Sequence, residues 1–580
     1  MKILCGYNVN IDSVYRISGA EVSALLNSFD RAEILEKINN PPGKIYSESD
    51  FIAGLIYCMK NGYGAEWLVF EKQVFEFLKT HFFKKSLVRM GGNAGIMANI
   101  LSQLGASKVI PNIAVPSETQ LSLFSKKAIY FPEAEPQIKE DFQAGSKSDL
   151  NNLREPLKEL RNKPEKSLEE GSGNISEKNK IGESRNIALN PDSNTASNAV
   201  SNTIFNTAYS NQDPIHFVFD FSKGDTFSLY GTEITVPREN RFIATCDHLN
   251  FRLYVNPAFE KYALEHIREI DGTLISGFHL LLERYPDGST YENILENISS
   301  QLKQWKAEND KIKIHLEFGH FASKELANSV FLKLSTLSDS IGMNEDELSM
   351  FQYLHGVPAE KLAHMEVQAV AEAAFRLASE HELKKLFIHT REFVITVFTE
   401  DSIIQSPTAN FKQDSESDST LSSKSDSGFS SKPVSSLNSE RDPKFELEKF
   451  TGSQTPDKLK APEAPDLQKL AINALKAVEF GVKCAGAYAD SGRLENREFV
   501  EKEASKLQES IFGKEQLAFF LKAFNGKSSG KGAYAFKEKY LICVIPTILS
   551  RSPVTTVGLG DTLTAGTFLR GLELNVHAQT

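Results

Sequence analysis

Short runs of β-forming residues alternate with helical patterns along most of this 580-residue chain. That alternation leaves few folds open. Strands are predicted at residues 2–9, 108–114, 215–221, 272–276, 311–318, 338–342, 385–390, 393–398 and 540–546. Helices are predicted at 93–103, 256–269, 291–308, 324–334, 344–354, 365–380, 466–480 and 561–571. Strands separated by helices of roughly 10–15 residues specify an α/β fold with a mainly parallel sheet and helices on both faces. In such sheets the ligand lies at the carboxyl ends of the strands. No repeat at solenoid spacing interrupts the pattern.

Two stretches fall outside it. Residues 133–213 are rich in Asn, Ser, Lys and Glu, and residues 406–465 are richer still in Ser; 12 of the residues from 411 to 440 are serine. Neither buries enough apolar surface to offset its ordering entropy, so both are expected to be disordered insertions. Roughly 440 residues remain, ample for a large core and a smaller second one. The net charge of −11 argues against general nucleic-acid binding. No apolar run approaches the roughly 20 residues of a membrane span. The opening Met1-Lys2-Ile3-Leu4-Cys5 has no signal-peptide layout, and five scattered cysteines form no Cys-x-x-Cys pair. These features predict reduced thiols in a cytoplasmic protein.

Several motifs fall where the predicted strands end. Thr555-Thr556-Val557-Gly558-Leu559-Gly560-Asp561 leads into the last helix. Its glycines allow a tight turn and close approach to a ligand, and a helix N-terminus attracts negative charge. Asp561 there is either a general base beside an anion hole or a plain helix cap. His315 and Glu317 share one face of a strand; they either serve a hydrated cation or close a polar hole. A zinc site with His320 lacks a fourth nearby ligand. Asn344 and Glu347 have capping-box spacing, and they also set a second carboxylate beside Glu317. Arg89-Met90-Gly91-Gly92-Asn93 opens a helix, as a ligand-approaching loop or an Asn cap. Asn10 and Asp12 end the first predicted strand, in reach of sugar hydroxyls or as a turn. Lys223, Arg238, Arg241 and Arg252 form a basic group suited to a phosphate monoester, or ordinary surface charge. The Gly-Lys pairs at 526–527 and 530–531 lack P-loop spacing and read as a flexible surface loop.

Taken in order, the Gly-Gly-Asn segment, His315-x-Glu317, Asn344-x-x-Glu347 and Gly558-x-Gly560-Asp561 resemble the motifs of the archaeal ADP-dependent sugar kinases, within the ribokinase-like superfamily. The resemblance spans nearly the whole chain apart from the two polar stretches. It implies a large ribokinase-like α/β domain with a central, mainly parallel sheet, and a smaller discontinuous α/β lid. On that plan the large domain takes 1–14, 91–132, 256–405 and 466–580, the lid takes 15–90 and 214–255, and the insertions take 133–213 and 406–465.

The resemblance also implies roles. Asp561 becomes the catalytic base, with Gly558 and Gly560 forming the anion-hole turn. Glu317, Glu347 and Asp561 serve a Mg²⁺ cofactor. Asn10, Asp12, Gly92 and Asn93 meet the sugar, although family members often carry Gln at the position of Asn93. Lys223, Arg241 and Arg252 surround a sugar phosphate. The family's phosphoryl donor is ADP, which leaves as AMP. Glucose-using members carry an acidic residue before the Arg of the glycine motif, where this chain has Val88. Val88 and the basic group together favour fructose 6-phosphate, converted to fructose 1,6-bisphosphate in glycolysis, the reaction of an ADP-specific phosphofructokinase. A glucokinase or a bifunctional enzyme is the alternative. Partners expected are ADP and a sugar phosphate, with neither nucleic acid nor membrane, and the oligomeric state is open.

Overall fold

The computed structural model describes residues 1–133, 212–285, 287–321, 323–351, 357–399 and 465–576. Apart from a few end positions, the insertions expected at 133–213 and 406–465 lie outside the described residues.

The chain weaves between two layers. It begins with β1 (Lys2–Gly6) and crosses to a smaller sheet for β2 (Asn10–Arg16), β3 (Lys44–Ile45), α1 (Glu48–Asn61), β4 (Ala65–Val69) and β5 (Leu87–Gly91). It returns through α2 (Asn93–Gln103) and β6 (Lys108–Pro111), then crosses again for β7 (Ile215–Phe221) and β8 (Asn240–Cys246). From there it stays in the larger layer, with α3 (Pro257–His266), β9 (Gly272–Ile275), α4 (Tyr291–Glu308), β10 (Lys313–Glu317) and α5 (Lys324–Leu334). Next come β11 (Ser340–Asn344), α6 (Glu345–Ser349), α7 (Val367–Glu380), β12 (Lys385–His389) and β13 (Phe393–Thr399). The last stretch holds α8 (Pro465–Ser491), β14 (Lys527–Ser529), β15 (Gly532–Lys537), β16 (Tyr540–Pro546) and α9 (Leu559–Val576).

The larger sheet has ten strands in the order β14-β15-β16-β13-β12-β11-β10-β9-β1-β6. The run β6-β1-β9-β10-β11-β12 is parallel and the remaining pairings are antiparallel. The parallel strands read as nearly unbroken apolar runs because helices cover both faces. One face packs on α3, α4, α5 and α7 around Trp305, Phe331 and Tyr540; the other packs on α2, α8 and α9 around Met97, Cys484 and Leu569. The smaller sheet has six strands, β3-β4-β8-β7-β2-β5, and a core of its own centred on Phe51, Phe217, Phe219 and Phe242. Its other face looks toward the carboxyl ends of the larger sheet. Helix α1 covers the core side; Ser47 and Asp50 close its start as a capping box and left-handed Gly62 ends it.

Several expectations are corrected here. The strand predicted at 2–9 ends at Gly6, and Asn10 and Asp12 belong to the smaller sheet, so the crossing falls at residues 7–9 rather than after residue 14. Most strands of the smaller sheet escaped the pattern because one face carries polar residues, which interrupts any continuous apolar run. The last helix starts at Leu559, which sets Asp561 inside its first turn, and α8 runs 27 residues. The two Gly-Lys pairs belong to the β14–β15 hairpin at the sheet edge, not to a flexible loop. No helix among the described residues is long and apolar enough to cross a membrane.

Candidate functional site

One strand end and two helix starts bring three carboxylates together at the carboxyl ends of the parallel strands. Glu317 ends β10, 3% exposed. Its Oε2 accepts from His315 Nε2 at 2.8 Å and from Thr564 Oγ1 of α9 at 3.1 Å, while its Oε1 faces His389 Nε2, at the end of β12, at 3.0 Å. His315 Nδ1 is fixed in turn by Ser340 Oγ at 2.7 Å. The register pairs Glu317 with Gly342, where a Cβ would come within 2.1 Å of Oε2, so the neighbouring strand makes room for the carboxylate. Burial works against the Glu317 charge, but the two imidazoles outweigh it and hold the acid down near 2. His389 shows the converse. Burial opposes its charge, yet Glu317, Glu347 and Glu345 raise it to about 9, so it is an imidazolium at neutral pH.

Glu347 is buried at the start of α6. Its two oxygens accept from the backbone N–H and the side-chain amide of Asn344, each at 2.9 Å, and its own N–H donates to Asn344 Oδ1 at 2.8 Å. The capping reading of this motif is realised, and the carboxylate still faces the site. Burial first, with the charges of Glu317 and Asp561 adding, raises Glu347 to about 7.

Asp561 completes the group. The first intrahelical bond of α9 runs from Thr562 N to Gly558 O at 3.0 Å, so the N–H groups before it have no helical partner. Gly558 turns at φ 76° against Ile96, and a Cβ on Gly560 would press within 2.9 Å of His389 Cε1. The glycines therefore seat the helix start directly over the imidazolium. Asp561 is 8% exposed, and its Oδ1 accepts from Asn93 Nδ2 at 2.7 Å. Burial and the Glu317 charge raise its carboxyl to about 7, against the lowering effect of Asn93 and His389. A carboxylate poised near neutrality is suited to take a proton and pass it on.

Above these groups lies the polar face of the smaller sheet. Asn10 Nδ2 donates to Asp12 Oδ1 at 3.0 Å, and Arg89 Nε stands 3.7 Å from Asp12 Oδ2. Gly91 and Gly92 lie so close that a Cβ on either would clash with Asn10, Asp12 or Asn8. Asn10 Oδ1 is buried without a partner. Across the register from Asp12 sits His216, bonded to Asp247 at 3.1 Å and 3.6 Å from Glu66. Burial opposes its charge, but Asp247, Glu66 and Asp12 raise it to about 9. From the larger layer, His279 is held neutral by burial, down to about 4.

The basic residues singled out in the sequence are not drawn together here. Arg241 pairs in register with Asp220, four residues along β7 from His216, roughly 13 Å further along the sheet. Lys223 follows β7 beyond that point and is exposed. Arg252 is ion-paired to Asp287 at 2.9 Å and stacked on Tyr285 at 4.2 Å. Val88 packs into the smaller core, on the face opposite Arg89, so that position does not reach the cleft. The positive groups facing Asp12 are Arg89 and His216. His216, His389 and Thr564 were not singled out in the sequence. Each histidine sits in a largely apolar strand, with Asp220 also polar in β7 and Lys385 in β12, so the local sequence marks neither as a site residue.

Among the described residues, no three His, Cys, Asp or Glu side chains are arranged to hold a metal ion. Both oxygens of Glu317 and of Glu347 already accept hydrogen bonds from the protein. This donor set does not fit direct ligation. It fits a hydrated divalent cation, because burial first, and neighbouring carboxylate charge second, hold the Asp561 and Glu347 carboxyls up at about 7, a cost that a nearby cation would offset.

The sequence matches the family described as "ADP-specific Phosphofructokinase/Glucokinase conserved region" over residues 1–153, 177–452 and 467–570. It is 23% identical to the ADP-specific phosphofructokinase of Thermococcus kodakarensis over 99% of this chain and 96% of that one. A phosphofructokinase from Pyrococcus horikoshii, solved with AMP, shares the fold with TM-score 0.64 and 20% identity, over 99% of this chain and 98% of that one. An ADP-dependent kinase solved with fructose 6-phosphate and ADPβS aligns with TM-score 0.59 and 21% identity, over 98% and 93%.

Proposed function

The chain belongs to the ADP-specific phosphofructokinase/glucokinase family, and we propose that it transfers a phosphoryl group from ADP to fructose 6-phosphate, giving fructose 1,6-bisphosphate and AMP. The observation that carries the reading is Asp561: a buried carboxyl raised to about 7, within the first turn of a helix whose leading N–H groups are unpaired.

In the reaction, Asp561 takes the proton from the acceptor hydroxyl as its oxygen attacks the β-phosphorus of ADP. The bond from that phosphorus to the bridging oxygen breaks, and AMP leaves. The N–H groups of the Gly558–Asp561 turn, with the His389 imidazolium beneath, receive the charge on the migrating group. Asn10, Asp12, Gly92 and Asn93 orient the acceptor hydroxyls, and Arg89 with His216 meets its anionic end. Closure of the smaller layer over the cleft excludes water and limits hydrolysis of ADP. Glu317 and Glu347 would hold a divalent cation, which we assign as magnesium, through its water shell, and it would supply positive charge against the phosphates. The choice of ADP over ATP rests on the family. The cytoplasm is our assigned compartment, in keeping with five buried free cysteines.

One observation favours a second acceptor. Glu66, partly exposed, stands 3.6 Å from His216, and a carboxylate there suits the hydroxyls of an unphosphorylated hexose. The test is AMP release from Mg-ADP with fructose 6-phosphate and with glucose in parallel. Release with fructose 6-phosphate supports the phosphofructokinase reading, release with glucose alone reassigns the acceptor, and release with neither overturns the donor. Asp561→Asn is expected to lower kcat by ~10²–10⁴-fold with little change in acceptor binding; unchanged turnover would remove Asp561 from its role.

A further inference from the structure

Residues 7–9, where the chain first crosses between the layers, are held on several sides. Asn112 Nδ2 donates to Tyr7 O at 3.1 Å, and Gln120 Nε2 and Asn250 Nδ2 donate to Val9 O at 2.8 and 3.0 Å. Between them the Asn8 side chain is 2% exposed. Gly277, at the end of the adjoining strand, lies so near that a Cβ there would be 2.8 Å from Asn8 Cβ. Ser276 Oγ donates to Asn8 Oδ1 at 3.1 Å, and Asn8 Nδ2 donates to Asn93 Oδ1 at 3.3 Å. Asn93 Nδ2 in turn donates to Asp561 Oδ1 at 2.7 Å.

An ionised carboxylate only accepts, so Asn93 has to present its NH₂ to Asp561. Its carbonyl oxygen is thereby turned the other way, into a pocket where Asn8 supplies a matching donor. Asn8 must then show its own oxygen to the Ser276 hydroxyl. We propose that Asn8 is a positioning residue for the phosphoryl transfer: by donating to Asn93 it fixes which end of that amide meets Asp561, and so ties the crossing between the two layers to the aim of the base. The inference rests on Asp561 being the base. With Oδ1 held by Asn93, Oδ2 is the oxygen turned toward Gly558, 3.9 Å from where a Cβ on that residue would lie, and it is the oxygen left to accept the substrate proton.

The test compares Asn8→Ala, Asn8→Asp, Asn93→Ala and the double variant Asn8→Ala/Asn93→Ala, reading kcat, KM for ADP and Tm on the full chain. Asn8→Ala is expected to lower kcat by about tenfold with KM for ADP within about twofold, the upper end of what one neutral amide hydrogen bond contributes. Asn8→Asp, nearly identical in shape, is expected to be worse than Ala. A carboxylate at position 8 accepts from the Asn93 NH₂ and turns the Asn93 oxygen onto Asp561. The double variant is expected to match Asn93→Ala alone, because the two residues act in series. Additive losses, or Asp retaining more activity than Ala, would show that Asn8 only fills space and would overturn the proposal. If Asn8→Ala does not fold, Ser276→Ala carries the test: a fall in kcat of about threefold at unchanged KM for ADP is expected, and unchanged kcat overturns the proposal. Full activity of Asp561→Asn would instead defeat the base assignment, whatever the Asn8 series shows.

Discussion

Asp561 and Glu317 are both buried carboxyls, yet their surroundings drive them apart. Glu317 meets two imidazoles and a hydroxyl and is held near 2; Asp561 meets one amide and, through burial and the Glu317 charge, is raised to about 7. Two acids separated in this way can take different roles in one reaction, a fixed charge and a titrating base. A pH dependence follows with a definite sign. Below about 7 the Asp561 carboxyl is protonated and cannot accept, so kcat/KM for the acceptor is expected to fall tenfold per unit on that side. The measurement is kcat/KM from pH 5 to 8, corrected for the acceptor phosphate's own titration; a limb centred near 4 would mean that the base is an unperturbed carboxylate. At this scale the sequence was legible wherever a residue sits in a compact motif, as Asp561, Glu317 and Asn93 do. His389 was not, because its meaning comes from Glu317, 72 residues away in the chain. Lys223, Arg241 and Arg252, near one another in sequence, are set apart by the fold: Arg241 lies on β8 beside Asp220, Lys223 follows the end of β7, and Arg252 is ion-paired to Asp287.

Elements supply the close tolerances that these residues need. The parallel β10–β11 pairing places Gly342 opposite Glu317, and no larger residue fits while the carboxylate stays hydrogen-bonded to His315, His389 and Thr564. Gly342→Ala is accordingly expected to cost about 1–3 kcal/mol of stability by overpacking. It should also lower kcat, because Glu317 is displaced from beneath α9. Urea unfolding and steady-state rates check this; a wild-type midpoint with a wild-type kcat would show that the strands part without consequence. Parallel elements were readable because burial on both sides makes them continuous apolar runs, as in β1 and β12. The smaller sheet was largely unreadable for the opposite reason. Its strands turn one face to a polar cleft, so polar residues break their apolar runs. Asn10 and Asp12 therefore looked like the end of β1 when they begin a strand of another layer.

For the whole molecule, the two-layer plan was legible only through the motifs, since the smaller layer is discontinuous in the chain and its core forms only after distant segments meet. Bringing the layers together concentrates charge, and the linked protonations predict how stability varies with pH. His216 and His389 are raised from 6.5 to about 9 on folding. Their contribution is fully present below 6.5 and is lost as pH rises through 9. Asp561 and Glu347 are raised to about 7, so burying their charged forms costs stability that appears as pH climbs from the usual carboxylate range to 7. Glu317 is lowered to about 2, and its contribution, present above 4.5, fades as pH falls through 2. The first two effects favour the acid side; Glu317 opposes them there, and so does His279, whose lowering from 6.5 to about 4 makes stability fall as pH drops below 6.5. Tm of the ligand-free protein is therefore expected to peak between about pH 5 and 6.5 and to decline steadily toward 9. Mg-ADP should flatten that decline, because a bound cation offsets the charge of Asp561 and Glu347. Scanning calorimetry from pH 4.5 to 9, with and without Mg-ADP, makes the comparison. A Tm that climbs to pH 9 in the ligand-free protein would contradict the charge balance assigned to the cleft.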